Sequence, residues 1–227
     1  MKKQKFNSRN SKKNHKTLFT IISFALVVIA AAIIYVEVIR PEQLGFASNV
    51  KIDGVFIQKP TEITDFQLTD NHGKQFSKAN MKGHWTMMFF GFTNCGMVCP
   101  TTLVELKKMY GTLQKDLPAK ELPQVVLVSV DPERDTVERM NDYIQSYDSR
   151  FVGLRGETSE TENLKKQLHI VSGKMKLDDG SNQYTINHSA EIMLFNPEGK
   201  LQAYLAYPHK AAQMVDDYEL VLKKTAT

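Results

Sequence analysis

Apolar residues along this chain fall into short blocks separated by polar stretches of helical length, and their order predicts alternating strands and helices. The longest block runs over 18–39 and carries one charge, Glu37 near its end. Residues 40–60 have a weak pattern and read as a linker. From Ile63 the pattern sharpens. Segments 63–68 and 74–76 flank Asp70-Asn71-His72-Gly73, which reads as a hairpin turn. The run 85–90 reads as a buried strand, and 101–117 as an amphipathic helix. Residues 125–130 are continuously apolar apart from Ser129, which suits a central strand buried on both faces. Asp131-Pro132 stops that strand, and Asp135 or Thr136 caps a helix over 137–147. A short strand over 151–154 and a helix over 159–168 follow. Strands at 169–175 and 184–186 surround Asp178-Asp179-Gly180. Segments 191–195 and 201–206 form a hairpin around Asn196-Pro197-Glu198-Gly199, and 209–223 closes the chain as a helix.

Strands alternating with helices and ending in an antiparallel hairpin and a helix predict an α/β domain with a mixed central sheet flanked by helices. This is the layout of a thioredoxin-like fold with an N-terminal β-hairpin extension, preceded by one transmembrane helix. The expected organisation is a basic tail over 1–17, an anchor over 18–39, a linker over 40–60 and one domain over 61–227.

Charge changes the picture at the N-terminus. Seven of the 29 Lys and Arg precede residue 17, where there is no acid, and the rest carries 22 Lys and Arg against 25 Asp and Glu. The body is therefore slightly acidic, which argues against nucleic acid as a partner. An apolar block of 22 residues is long enough to cross a bilayer as a helix. Positive charge before it predicts a cytoplasmic N-terminus and a single-pass anchor. The domain is then expected in the periplasm or an equivalent extracytoplasmic space, at the inner membrane in a Gram-negative cell. Ala30-Ala31-Ala32 could end a cleaved signal peptide, but the apolar run continues through Val36, too far for a typical signal core.

The chain has two cysteines, both in Gly91-Phe92-Thr93-Asn94-Cys95-Gly96-Met97-Val98-Cys99-Pro100. A strand precedes them and a helix follows. With both in the first helical turn, the four-residue spacing puts the two sulfurs on one face. They could form a disulfide or converge on one metal, and a helix N-terminus favours their thiolates. As a structural staple the pair would be weak, because so small a loop constrains little unfolded-chain entropy. Two thiolates alone suit Cu(I), whereas Zn(II) normally takes four ligands; an added imidazole would also admit Cu(II). Of the six histidines, His15 falls in the basic tail, His72 in a turn, and His84, His169 and His209 at element ends. His188 follows a strand that a thioredoxin-like layout places opposite the thiols. Trp85, Met87, Met88, Tyr143 and Tyr147 read as core.

The strand-C-x3-C-P-helix unit, the run Ser129-Val130-Asp131-Pro132-Glu133-Arg134-Asp135-Thr136 and the later Asn187-His188-Ser189 together resemble the Sco/SenC family. The resemblance runs from about Ile63 to the end. Its members are membrane-anchored copper proteins that mature the CuA centre of cytochrome c oxidase. It implies Cys95, Cys99 and His188 as ligands for one copper ion, and a structural or partner-facing use of 131–136. It also implies a metallochaperone without turnover of a small substrate. The implied partners are a CuA-bearing oxidase subunit or another copper protein, a thiol reductant of the same compartment, and the membrane. Family members commonly read C-P-D-x-C; this chain has Gly96 and Met97 between its thiols, so the local field is less negative. Asn94, Thr101, Thr102 and Asn187 also depart from the pattern. Two other readings use Cys95 and Cys99 alone. One is a membrane-anchored thiol-disulfide oxidoreductase with a redox-active pair. The other is a peroxiredoxin-like enzyme, disfavoured because the expected upstream proline is missing.

Overall fold

The structure, a computed structural model, describes residues 22–31, 51–177 and 183–226. Residues 22–31 are helical and belong to a unit separate from the domain that starts at Val50. Among the described residues no helix is long and apolar enough to cross a membrane. At 1.5 Å per residue the described helical stretch is about 15 Å long, half of a roughly 30 Å hydrocarbon core. This corrects the transmembrane helix expected over 18–39. The membrane as a partner and the single-pass anchor fall with it, and the extracytoplasmic placement of the domain, which was argued from that anchor, is left without support. The tail over 1–17 and the rest of 18–39 lie outside the described residues.

The domain is built on an eight-stranded mixed sheet. Its strands are β1 (Gly54–Thr61), β2 (Gln67–Asp70), β3 (Gln75–Ser77), β4 (Thr86–Gly91), β5 (Gln124–Ser129), β6 (Val152–Arg155), β9 (Ile192–Phe195) and β10 (Leu201–Leu205). Their order is β1-β10-β9-β4-β5-β6-β2-β3. The three central strands β4, β5 and β6 run parallel, and the remaining pairings are antiparallel. β7 (Ser172–Lys176) and β8 (Tyr184–His188) form a separate two-stranded ribbon. The helices are α1 (Val98–Asp116), α2 (Val137–Tyr147), α3 (Thr158–Gln167) and α4 (Ala211–Thr225). The thioredoxin-like expectation is met, including the β2–β3 hairpin, which joins the sheet through β6.

Alternation along the central strands explains their continuous apolar runs. Met87, Phe89, Val125, Leu127, Ile192 and Leu194 pack with residues of α1, α2 and α4. Their neighbours Met88, Phe90, Val126, Val128, Met193 and Phe195 pack on the other face with Leu164, Leu168 and the β2–β3 hairpin. Successive strand side chains point to opposite faces, so a strand covered on both sides must be apolar throughout. Trp85 is buried with this core, while Tyr143 and Tyr147 are partly buried and pack against it.

Two local differences have clear causes. β1 lies inside the segment read as linker. It is an edge strand on β10, largely exposed and carrying Pro60, so it shows no buried periodicity. Gly54 admits this pairing, because a Cβ there would lie 2.0 Å from the Tyr204 carbonyl oxygen. β7 begins at Ser172 rather than at His169, whose φ of 55° places it in the left-handed region that ends helices.

Candidate metal centre

The site lies where β4 gives way to α1. α1 starts at Val98, so Cys99 sits in its first turn while Cys95 precedes the helix, a shift from the expected placement of both in one turn. Met97, the N-cap residue, makes no side-chain cap and is 73% exposed. The cap comes instead from Cys95, whose Sγ accepts from the Cys99 N–H at 3.5 Å. A helix N-terminus favours negative charge, so this contact suits a thiolate. Gly91, the last residue of β4, makes room for the second thiol. A Cβ at position 91 would lie 2.7 Å from Cys99 Sγ and 2.8 Å from Leu127 Cδ1. Gly91→Ala is therefore expected to destabilise the fold by about 1–3 kcal/mol through overpacking. Chemical denaturation with an unchanged m-value would check it.

The turn that presents Cys95 is tied to the 131–136 segment. The Thr93 N–H and hydroxyl both donate to the Asp135 carboxylate, the hydroxyl at 2.6 Å, and the Ser129 hydroxyl donates to the same carboxylate at 2.5 Å. Burial pushes the Asp135 pKa up, while these hydrogen bonds act against the rise. From α2, Arg139 donates through Nε to Thr93 Oγ1 at 2.7 Å and through Nη2 to Asn94 Oδ1. Both candidate caps are thus accounted for. Thr136 caps α2 by accepting from the Arg139 N–H, and Asp135 turns inward. Of these residues the sequence marks only Asp135, as a candidate helix cap within the 131–136 run; nothing in it points to Thr93 or Arg139.

His188 arrives from β8, 89 residues from Cys99, with its Nε2 3.5 Å from Cys99 Sγ. Its Nδ1 lies 2.8 Å from the Ser189 carbonyl oxygen. A carbonyl can only accept, so Nδ1 carries the proton and the neutral ring presents a bare Nε2 lone pair to the sulfurs. Ser189 is itself held, its N–H donating to the Val171 carbonyl at 2.9 Å and its hydroxyl accepting from the Val171 N–H at 3.1 Å. The Phe92 ring meets the imidazole edge-on, with centroids 5.8 Å apart. Ligand atoms of Cys95, Cys99 and His188 all lie within 4.8 Å of one another, so one ion could touch all three.

The thiols are electrostatically unequal. Hydrogen bonding from the Cys99 thiol lowers the Cys95 pKa to about 4, and burial opposes this only in part. Cys99 moves the other way: the same hydrogen bond, burial and the neighbouring thiolate all hold its proton. Burial disfavours imidazolium at His188, but the Cys95 thiolate and the Ser189 carbonyl outweigh it and raise the pKa. Among the other histidines, His72 and His169 are exposed and His84 reaches Gln124 Oε1 at 3.2 Å. His209 is buried, with Nδ1 3.1 Å from Thr102 Oγ1 and a bare Nε2. None of these four joins the cluster. His15 lies outside the described residues.

A thioredoxin-type sheet that brings two thiols and an imidazole together at the mouth of a helix defines a thiol-based metal-binding protein. The SCO1/SenC family model matches residues 56–223, and the chain belongs to that family. Over 152 residues it is 34% identical to the mitochondrial SCO2 homologues of Mus musculus and of Homo sapiens, with 67% of this chain covered. It spans 59% of the mouse protein and 56% of the human one, so both relatives are considerably longer than the matched part. Among solved structures it resembles Bradyrhizobium japonicum ScoI with copper bound, at 32% identity and a TM-score of 0.61, covering 69% of this chain and 96% of that one. Yeast Sco1 with copper bound matches at 27% identity and a TM-score of 0.65, covering 72% and 90%.

Proposed function

We propose that this protein is a copper chaperone that binds one copper ion through Cys95, Cys99 and His188. It passes that ion to the CuA site of a respiratory cytochrome c oxidase. The observation that carries the reading is the convergence of two sulfurs and a tautomer-fixed Nε2 within 4.8 Å. Copper-bound relatives on the same fold support it. Soft thiolates favour Cu(I), and the imidazole extends the site to Cu(II). Cys95 is half-buried and already ionised, so it engages copper first, whereas Cys99 must give up its proton. Release is an exchange of thiolates between donor and acceptor.

The test is an anaerobic Cu(I) titration of the reduced protein against a competing chelator. Wild type is expected to bind one equivalent tightly. His188→Ala is expected to bind Cu(I) about 10-fold more weakly, about 1.4 kcal/mol, and Cu(II) at least about a hundredfold more weakly, about 2.7 kcal/mol. Failure of wild type to take up near-stoichiometric copper sinks the reading.

The inequality of the thiols favours a second role, reduction of a client disulfide. The Cys95 thiolate attacks one client sulfur and expels the other as thiolate. Cys99 then attacks the mixed disulfide, leaving a Cys95–Cys99 disulfide and a two-electron-reduced client. This role needs no imidazole ligand. Reductase activity that survives His188→Ala while Cu(II) binding is weakened would support it.

A further inference from the structure

The ribbon that delivers His188 has little apolar attachment of its own. Every side chain of β7 is exposed or half-exposed, and in β8 only Ile186 is buried. Two-stranded ribbons are marginal in water. Backbone pairing within this one, the Ser189–Val171 bonds included, ties its two strands to each other, and its apolar hold on the domain is small.

A polar clamp grips the other end of β8. Arg134, from the loop between β5 and α2, donates through Nη1 to the Tyr184 carbonyl oxygen at 3.0 Å. Its guanidinium carbon stands 3.8 Å from the Tyr184 ring centroid, within cation–π range. Nε of Arg134 donates to Asp131, whose carboxylate also accepts from the Tyr184 hydroxyl at 2.8 Å. Asp131 is fully buried, so this pair lies mostly out of solvent. Lys174 of β7 adds an ion pair to Glu133 at 2.7 Å and lies 4.7 Å from the centroid of the same tyrosine ring. The Arg134 guanidinium carbon also lies 5.9 Å from the Phe92 centroid, and Phe92 is the ring that meets His188 edge-on. One guanidinium therefore packs on Tyr184, four residues before His188 on the strand, and reaches the edge of cation–π range of the ring beside the imidazole.

We infer that Arg134 is a positioning residue for His188, clamping β8 through Tyr184 and backing the imidazole through Phe92, and so decides whether the site offers three ligands or two. The inference rests on His188 being a copper ligand. The thiols do not depend on the clamp, since Cys99 is held in α1 and Cys95 by the Thr93–Asp135–Arg139 contacts. Loosening the clamp should therefore spare Cu(I), which is content with two thiolates, and weaken Cu(II), which draws on the imidazole.

The experiment compares Arg134→Gln, His188→Ala and the double variant in the full chain. Cu(II) and Cu(I) affinities are measured by competition, together with the thiolate-to-Cu(II) charge-transfer absorption. Arg134→Gln is expected to lower Cu(II) affinity about 10–100-fold, the effect typical of losing an outer-shell partner, and to weaken the absorption band. Cu(I) affinity should change less than about 3-fold, and in the His188→Ala background Arg134→Gln should add nothing. Arg134→Lys keeps the charge without the planar fork and should restore little. Because Arg134→Gln leaves Asp131 buried without its cation, Tyr184→Leu serves as a second variant. It removes the ring and hydroxyl that Arg134 and Asp131 engage while leaving the Arg134–Asp131 pair and the bond to the carbonyl of residue 184 in place, and it should give a smaller but equally Cu(II)-selective loss. Wild-type Cu(II) affinity in both Arg134→Gln and Tyr184→Leu would overturn the clamp. So would an effect of Arg134→Gln that persists without His188. His188→Ala with unchanged Cu(II) binding would instead overturn the ligand assignment, and the clamp's role with it.

Discussion

Replacing Cys99 with serine is expected to lower the Cu(I) affinity of the reduced protein at least a thousandfold, roughly 4 kcal/mol. Serine nearly matches the thiol in size, so the space that Gly91 leaves for it stays filled. Its hydroxyl does not ionise in the working range and is a hard donor, a poor ligand for a soft ion. Cys95 would remain as one thiolate with the imidazole. The same protonation argument gives the pH dependence for wild type. Cys95 has lost its proton well below neutrality, whereas Cys99 keeps its proton until copper displaces it. Above the raised pKa of His188, where its ring is neutral, each copper bound therefore releases one proton, and affinity rises about tenfold per pH unit. Below the raised pKa of His188 a second proton joins, and below about 4 a third comes from Cys95, so the dependence steepens as pH falls. Competition titrations across pH would check this. A Cys99→Ser affinity within tenfold of wild type would remove Cys99 from the ligand set.

Alkylation of the apo protein should mark Cys95 alone, with a rate that levels off just above pH 4, several units below an ordinary thiol. Cys95 is half-buried and reachable; Cys99 is 1% exposed and protonated, and should react at least a hundredfold more slowly, about 3 kcal/mol in barrier. The main support for the Cys95 thiolate is the hydrogen bond from the Cys99 thiol. Cys99→Ala should therefore move the inflection up by several pH units, while Arg139→Ala should leave it near the wild-type value. Mass-spectrometric rates of iodoacetamide modification from pH 3 to 9 would show it. An inflection near 8 in wild type would mean that Cys99 does not support the thiolate.

Much of this architecture was legible in the residue pattern. The two-faced strands β4 and β5 announce themselves as unbroken apolar runs, because alternate side chains enter two different cores. α2 is found at its expected bounds, since its cap and apolar stripe lie within a few residues of each other. β1 was hidden because an edge strand need not bury either face. The membrane helix illustrates the opposite error: composition over 18–39 suggested a span, but the described helix covers only 22–31.

By itself the sequence determined the paired thiols, the helix that follows them and the alternation of elements, all governed by residues near one another in the chain. Only the tertiary structure decided that His188 meets Cys99 and that Asp135 and Arg139 hold the turn of Cys95. It likewise decided that Arg134 grips the ribbon at Tyr184. These contacts join residues 42 to 89 positions apart, and no local pattern encodes them. They exist because β4, β5 and β9 lie side by side in the sheet, which brings the loops at their ends to one place.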